Sequence, residues 1–200
     1  NKYLYLFMQF LPSILFAIIF FSALFFFVKN CKKIYRNINL GGSLDRFDNK
    51  KERFLKMSRL AFGQSKMLNK PVIGLLHLIV YVAFILINIE LIEIILDGFT
   101  GKHRVLAPFL GVFYDFLIGF FEVLALLVIT SVLIFWIRRN VLKIKRFISS
   151  DLTGWPKNDA DYILYIELVL MILFLNMNAT DSILQNASYS DLYQSYGYFP

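Results

Sequence analysis

Four stretches of this chain are too long and too apolar for the interior of a small soluble domain: Tyr3 to Val28, Val72 to Leu96, Val105 to Ile137 and Tyr162 to Leu175. A helix needs about 20 residues to cross roughly 30 Å of hydrocarbon at about 1.5 Å per residue. The first three runs meet that length, and the fourth reaches it when extended through Met177 toward Ala179. Backbone N–H and C=O groups inside lipid must be bonded within the segment or within a closed barrel, and no run shows the alternation of a barrel strand. The expected fold is therefore all-α, a polytopic membrane bundle. Its four transmembrane helices are placed at about 3–28, 72–96, 105–137 and 162–178. Loops at 29–71 and 138–161 separate them, with a tail at 179–200.

Composition narrows the function classes. At 58% hydrophobic and 18% charged, the chain is too apolar to be disordered. Cys31 is the single cysteine, which excludes a disulfide scaffold and any thiolate-bound zinc or iron–sulfur centre built from this sequence alone. The first run lacks a basic segment before it and outlasts the apolar part of a signal peptide, so it reads as a retained helix.

The net charge of +7 acquires its meaning from position. Twelve Lys/Arg lie between Lys29 and Lys70 and six between Arg138 and Asp161, while Lys2, Lys102 and Arg104 are the three on the other side. By the positive-inside rule this asymmetry puts both long loops in the cytoplasm and both ends of the chain outside. The basic charge is thus explained by topology, and nucleic acid is not an expected partner. Within the first loop, Asp48 to Phe62 reads as a short amphipathic helix lying on the inner leaflet or under a partner domain. Gly41-Gly42-Ser43 reads as a turn, and Gly154-Trp155-Pro156 as a helix breaker with an interfacial Trp. Asn178-Ala179-Thr180 and Asn186-Ala187-Ser188 match glycosylation sequons, and both are taken as chance matches.

Polar groups inside the spans carry whatever chemistry the chain has, because ionisable groups in hydrocarbon are costly unless paired or used. His77 lies about 8 Å from the start of the second run. At 100° per residue it shares a face with Gly74, Tyr81, Phe84 and Asn88. An imidazole with a glycine one turn before it suits a b-type haem, and it equally suits a structural histidine bonded to a neighbouring helix. Glu90 and Glu93 fall roughly 140° to 160° round the helix from His77. On the third run, Gly111, Asp115, Gly119 and Glu122 recur at spacings of four, four and three, a small and acidic face expected to look into the bundle. Glu167 on the fourth run and Lys102-His103-Arg104 in the short outer loop are its available partners. His103 with Arg104 is a candidate quinone site at the outer surface, and equally a solvated interfacial histidine.

Several stretches resemble a known family in their wording as well as their hydropathy. They include Lys33-Ile34-Tyr35-Arg36-Asn37-Ile38-Asn39-Leu40-Gly41, Gly63-Gln64-Ser65-Lys66-Met67, Pro71-Val72-Ile73-Gly74-Leu75-Leu76-His77, Ile137-Arg138-Arg139-Asn140 and Gly154-Trp155-Pro156-Lys157. Together they resemble the membrane half of bacterial iron–sulfur-binding oxidoreductases related to heterodisulfide reductase, of the type common in Bacteroidota. The resemblance implies a cytochrome-b-like module similar to the gamma subunit of respiratory nitrate reductase. In such proteins a further histidine-bearing helix and a cytoplasmic domain with two four-iron clusters follow. Neither is present here. The start at Asn1 and the stop at Pro200 fit a chain truncated before them. His77 matches the inner haem-ligand position, whereas Ile87 and Asn88 stand where the outer histidine would fall.

The expected function is electron transfer through haem b between menaquinone, or another quinone, and a cytoplasmic iron–sulfur domain or redox partner subunit. The place is a bacterial inner membrane. Two alternatives remain open: a proton or cation transporter using Glu90, Glu93, Asp115 and Glu122, and a structural anchor. The charge asymmetry generates a direct test. Topology reporters fused after Asn49 and after Ser149 should read cytoplasmic and one after Gly101 external; a cytoplasmic signal at Gly101 overturns the arrangement.

Overall fold

A computed structural model describes residues 2–42, 48–63, 70–144, 155–186 and 196–197. Among these the fold is all-α, with no strand. The order is α1 (Lys2–Ile38), α2 (Lys50–Gly63), α3 (Pro71–Thr100), α4 (Ala107–Leu110), α5 (Val112–Trp136), a π-helical turn (Ile137–Val141) and α6 (Trp155–Asn186). Four segments are long and apolar enough to cross a membrane: Phe10–Ile38, Pro71–Thr100, Val112–Val141 and Asn158–Leu184. The chain divides into two compact units, Asn1–Lys66 with Ile92–Val105, and Met67–Leu91 with Leu106–Pro200. Ser43, Gly154 and the Ala187-Ser188 pair lie outside the described residues.

Helix ends depart from hydropathy in an instructive way. α1 continues past Val28 through Lys29, Lys32, Lys33 and Arg36 to Ile38, because lysine and arginine are good helix formers and nothing in the sequence stops the helix where the lipid ends. Pro12 sits inside it, removing one backbone hydrogen bond. The run expected as a continuous helix over 105–137 is broken instead. α4 ends at Gly111, whose φ of 53° and ψ of −131° belong to a region essentially reserved for glycine, and α5 begins after it. The π turn then closes with Leu142 N–H donating to the Ile137 carbonyl at 2.9 Å. α6 starts before the expected residue 162 and ends after 178, taking in part of the stretch assigned to the tail. α2 is exposed along its length, with Phe54, Leu55, Met57 and Phe62 all uncovered and an exposed Arg53–Asp48 ion pair at 3.0 Å.

In the first unit, aromatic packing joins α1 to the end of α3. Phe99 meets Phe16 at 5.3 Å and Phe20 at 5.2 Å, both edge to face. A Cβ on Gly98 would lie 2.6 Å from the Phe16 ring, so a glycine is what lets the two helices approach. This contact places the early part of α1 beside the last turn of α3, so those two helix ends lie at the same end of the unit. The chain turns back after α3 through Gly101 (φ 67°) and Arg104 (φ 56°), both left-handed. Asp97 holds that turn: its carboxylate accepts from Arg104 N–H at 2.7 Å and Val105 N–H at 3.1 Å, and its own carbonyl accepts from Gly101 N–H at 2.8 Å.

In the second unit the core is a seam between α5 and α6, with Ala83 of α3 in the same cluster. On α5 the buried residues Tyr114, Ile118, Phe121, Ala125, Val128 and Val132 recur at spacings of three and four. On α6, Met171, Phe174, Asn178 and Asp181 do the same. Neutral polar side chains elsewhere in the spans turn back on their own helix: Ser22 donates to Ile18 O at 2.6 Å, Thr130 to Leu126 O at 2.9 Å, Asn176 to Ile172 O at 2.7 Å and Thr180 to Asn176 O at 2.7 Å. Such bonding keeps a hydroxyl or amide satisfied in lipid without a partner helix.

The Asp97 turn yields a prediction. Hydrogen bonds to a charged acceptor contribute about 1.5–3 kcal/mol each, so Asp97→Ala should lower stability by at least about 2 kcal/mol, and Asp97→Asn by less because one acceptor oxygen remains. Denaturant titration of the detergent-solubilised protein, followed by circular dichroism, measures this, and equal stability of Asp97→Ala and wild type would contradict it.

Candidate functional site

The polar groups inside the second unit converge at one end of the α5–α6 seam. Glu122 is fully buried, and its Oε1 accepts a hydrogen bond from Asn178 Nδ2 at 3.0 Å. Asp181, three residues along α6 from Asn178, is buried as well at 3% exposure. A strip of chain covers the carboxylate: Gly197 N–H donates to Asp115 Oδ1 at 2.9 Å, and a Cβ on Gly197 would sit 2.6 Å from Glu122 Oε1. With φ of 100° as well, Gly197 is a position where only glycine fits both the space and the backbone. Beside it the Tyr196 ring packs edge to face on the buried Tyr114 at 4.8 Å. Among the described residues, every buried side-chain nitrogen or oxygen has a hydrogen-bond partner.

The third-run face expected to point inward is divided by the structure. Gly119 and Glu122 are buried; Gly111 and Asp115 are exposed, with Gly111 spent on the break between helices. Asn178, which hydrogen-bonds Glu122, was not among the partners anticipated for it. Glu167 is half-buried on the same stripe of α6 as Asn178, but 11 residues, or about 16 Å along the axis, away from it. Asn178, read in the sequence as a chance sequon, faces the seam at 1% exposure, which leaves no room for a glycan. The signal that finds it is the stripe Met171, Phe174, Asn178, Asp181, in which polar residues continue an apolar face at the same period.

On α3 the two faces separated by angle are indeed different, but the carboxylates take the covered one. Glu90 and Glu93 are 2% and 1% exposed, whereas His77 is exposed. The imidazole stacks on Phe135 of α5, with ring centroids 4.4 Å apart and planes at 27°. Gly74 is buried, so it and His77 stand on opposite sides of the boundary between the covered and the open surface of α3. The two residues expected to share a face thus differ in exposure, the glycine buried and the imidazole exposed. Asn88 donates to the Phe84 carbonyl of its own helix.

In the turn after α3, Arg104 is 5% exposed and its backbone is held by Asp97, while His103 is half-buried and Lys102 exposed. Of the pair His103 and Arg104, the histidine is the more accessible. At the other end of the α5–α6 seam, Arg139 Nε meets Asp161 Oδ1 at 2.6 Å, with Asn140 Nδ2 on the same oxygen at 3.3 Å. Trp136 Nε1 donates to Tyr165 Oη at 3.1 Å one turn deeper. Among the described residues no three His, Cys, Asp or Glu side chains converge into a metal-binding group.

The class this defines is an all-helical protein with four helices built to lie in a membrane. No protein-family model, curated protein or solved structure matches the chain.

The buried pair predicts a charge-specific result. Glu122→Gln keeps an acceptor for Asn178, so its folded yield should stay near wild type. Glu122→Lys buries an uncompensated cation at a penalty of roughly 3–5 kcal/mol, and its yield should fall at least about tenfold. Size-exclusion chromatography of fluorescently tagged protein in mild detergent reads both, and equal yields would remove Glu122 from the packed interior.

Proposed function

We propose that the chain is the membrane half of a quinone-linked electron-transfer protein, in which His77 supplies one axial ligand to a haem b. The observation that carries this reading is the outward imidazole. His77 lies within a span, is exposed, and contacts Phe135 by stacking. A polar ring at that depth faces hydrocarbon, where an unpartnered nitrogen is costly, so its position calls for a partner beyond this chain's own packed seam. A haem held between His77 and a histidine of a further helix meets that need. The resemblance to heterodisulfide-reductase-related proteins, with His77 at the inner ligand position, points the same way.

The donor set fits in part. The imidazole is accessible, and the flat Phe135 ring against one of its faces restricts its rotation. Gly74, one turn before it, is buried. A bound haem supplies a one-electron carrier. The residues of this chain set its surroundings: Phe135 orients the imidazole, and the apolar flank of α3, with Phe84 and Leu91 exposed, keeps water from the ligand side. The quinone reading rests on His103 in the outer turn, as donor to a quinone head group, and the cytoplasmic iron–sulfur domain would dock on the basic loops. The setting is the inner membrane of a bacterium, with the N-terminus outside and the basic loops in the cytoplasm.

A second reading, a proton or cation path, draws on the buried Glu122, Asn178 and Asp181. It predicts ion coupling with no visible absorption. A dithionite-reduced minus oxidised spectrum of the protein produced with its remaining domains and with haem available separates the two. The haem reading expects a reducible Soret band that His77→Ala abolishes or shifts while the helices still insert, and that His103→Ala leaves intact while slowing quinone-dependent reduction. Absence of haem from the wild-type protein overturns it in favour of the second.

A further inference from the structure

At the end of the second unit marked by the Arg139–Asp161 pair, α5 and α6 part to leave an apolar furrow of about 240 Å³ lined by Val132, Leu133, Trp136, Leu164, Tyr165 and Leu168. We propose that this furrow holds one acyl chain of an anionic phospholipid, with the lipid head group bound at the basic turn just beyond it. Both walls belong to segments apolar enough to span a membrane, Val112–Val141 and Asn158–Leu184, so the medium that meets the furrow is hydrocarbon. Its lining offers no polar surface, and what fills an apolar furrow opening on lipid is a lipid tail. One turn beyond Trp136 and Tyr165 lies the Arg139–Asp161 ion pair at 2.6 Å, with Asn140 on the same carboxylate. Depth is fixed by the Trp136–Tyr165 hydrogen bond, since the amphipathic rings of Trp and Tyr settle at the level where acyl chains meet head groups.

Charge decides which head group. The wall contributed by α5 runs into Arg138, Arg139 and Lys143, and Lys143 is exposed in a left-handed conformation (φ 43°) that ends the helical turn. The start of α6 carries Asp161, already engaged by Arg139, and the exposed Asp159. Among the described residues Arg138, Arg139 and Lys143 stand against Asp159 and Asp161, leaving a net positive charge at this end. A π turn at Ile137–Val141 widens the helix there and shifts the direction of the basic side chains relative to a straight α-helix. An anionic phosphodiester complements this surface, while a zwitterionic head group brings its own cation into it.

The test uses the two tryptophans of the chain. Trp155→Phe leaves Trp136 as the single reporter at the furrow, and the protein is placed in phosphatidylcholine vesicles containing increasing fractions of either brominated phosphatidylglycerol or brominated phosphatidylcholine. Half-maximal quenching of Trp136 is expected at a mole fraction at least about threefold lower for the anionic lipid, as attraction by even one basic side chain near the surface provides. Arg138→Gln combined with Lys143→Gln should bring the two curves together. Lys143→Glu, on an exposed side chain outside the Arg139–Asp161 pair, should do so in part even where the double variant folds poorly. Coincident curves for the two lipids in the wild-type background, or a preference that survives both variants, overturn the proposal.

Discussion

The hydrogen bond from the Asn178 amide to the Glu122 carboxylate is set in a medium that offers no replacement for it. A buried amide or carboxyl without a partner costs several kcal/mol in hydrocarbon, so two helices carrying such groups have one favourable way to meet. The opposite end of the same helix pair is held by Arg139 and Asp161. Glu122 and Arg139 are 17 residues apart on one side of the seam, and Asp161 and Asn178 are 17 residues apart on the other. Antiparallel helices with equal spacings satisfy both pairs in a single register, about 26 Å apart, close to the thickness of the hydrocarbon. A slip by one turn would break both at once. The apolar residues between them, from Phe121 to Val132 on α5 and from Leu164 to Phe174 on α6, pack in the register that these polar clamps define, since apolar contact between helices gains little over contact with lipid.

Hydropathy and periodicity make the number of helices, their approximate extent and the angular separation of the polar groups legible in the sequence. Which face of a helix turns inward is a different matter. In water the core face is the apolar one; in lipid both faces of α3 are apolar, so an outward His77 and inward Glu90 and Glu93 have the same hydropathy profile as the reverse. The inward setting of Glu122 was legible because Gly119 lies on the same face and small residues mark close approach. Its partner was hidden because Asn178 is neutral and belongs to a tripeptide with another familiar meaning. The break at Gly111 escaped for a related reason: Ala107 to Phe113 are apolar apart from the glycine, and hydropathy does not register a backbone angle. What signals it is the Pro108 to Gly111 spacing, a proline admissible in a first turn and a glycine admissible at a helix end.

The arrangement also ranks the polar groups by what they are able to do. Glu122 is covered by Gly197 and bonded to Asn178, and Asp97 is committed to the turn after α3. A carboxylate whose lone pairs are taken by fixed donors sets register and shape, and for it to carry a proton or an ion its partners would first have to move. His77 differs in kind. Its ring is held by a stacked Phe135, yet the residue is exposed within an apolar span. The two carboxylates have hydrogen-bond donors in their own units, whereas the contact of the exposed imidazole is a stacked ring. That difference, more than any count of acidic residues, is why the reading that gives His77 an external ligand has the stronger physical basis than one that sends ions past Glu122.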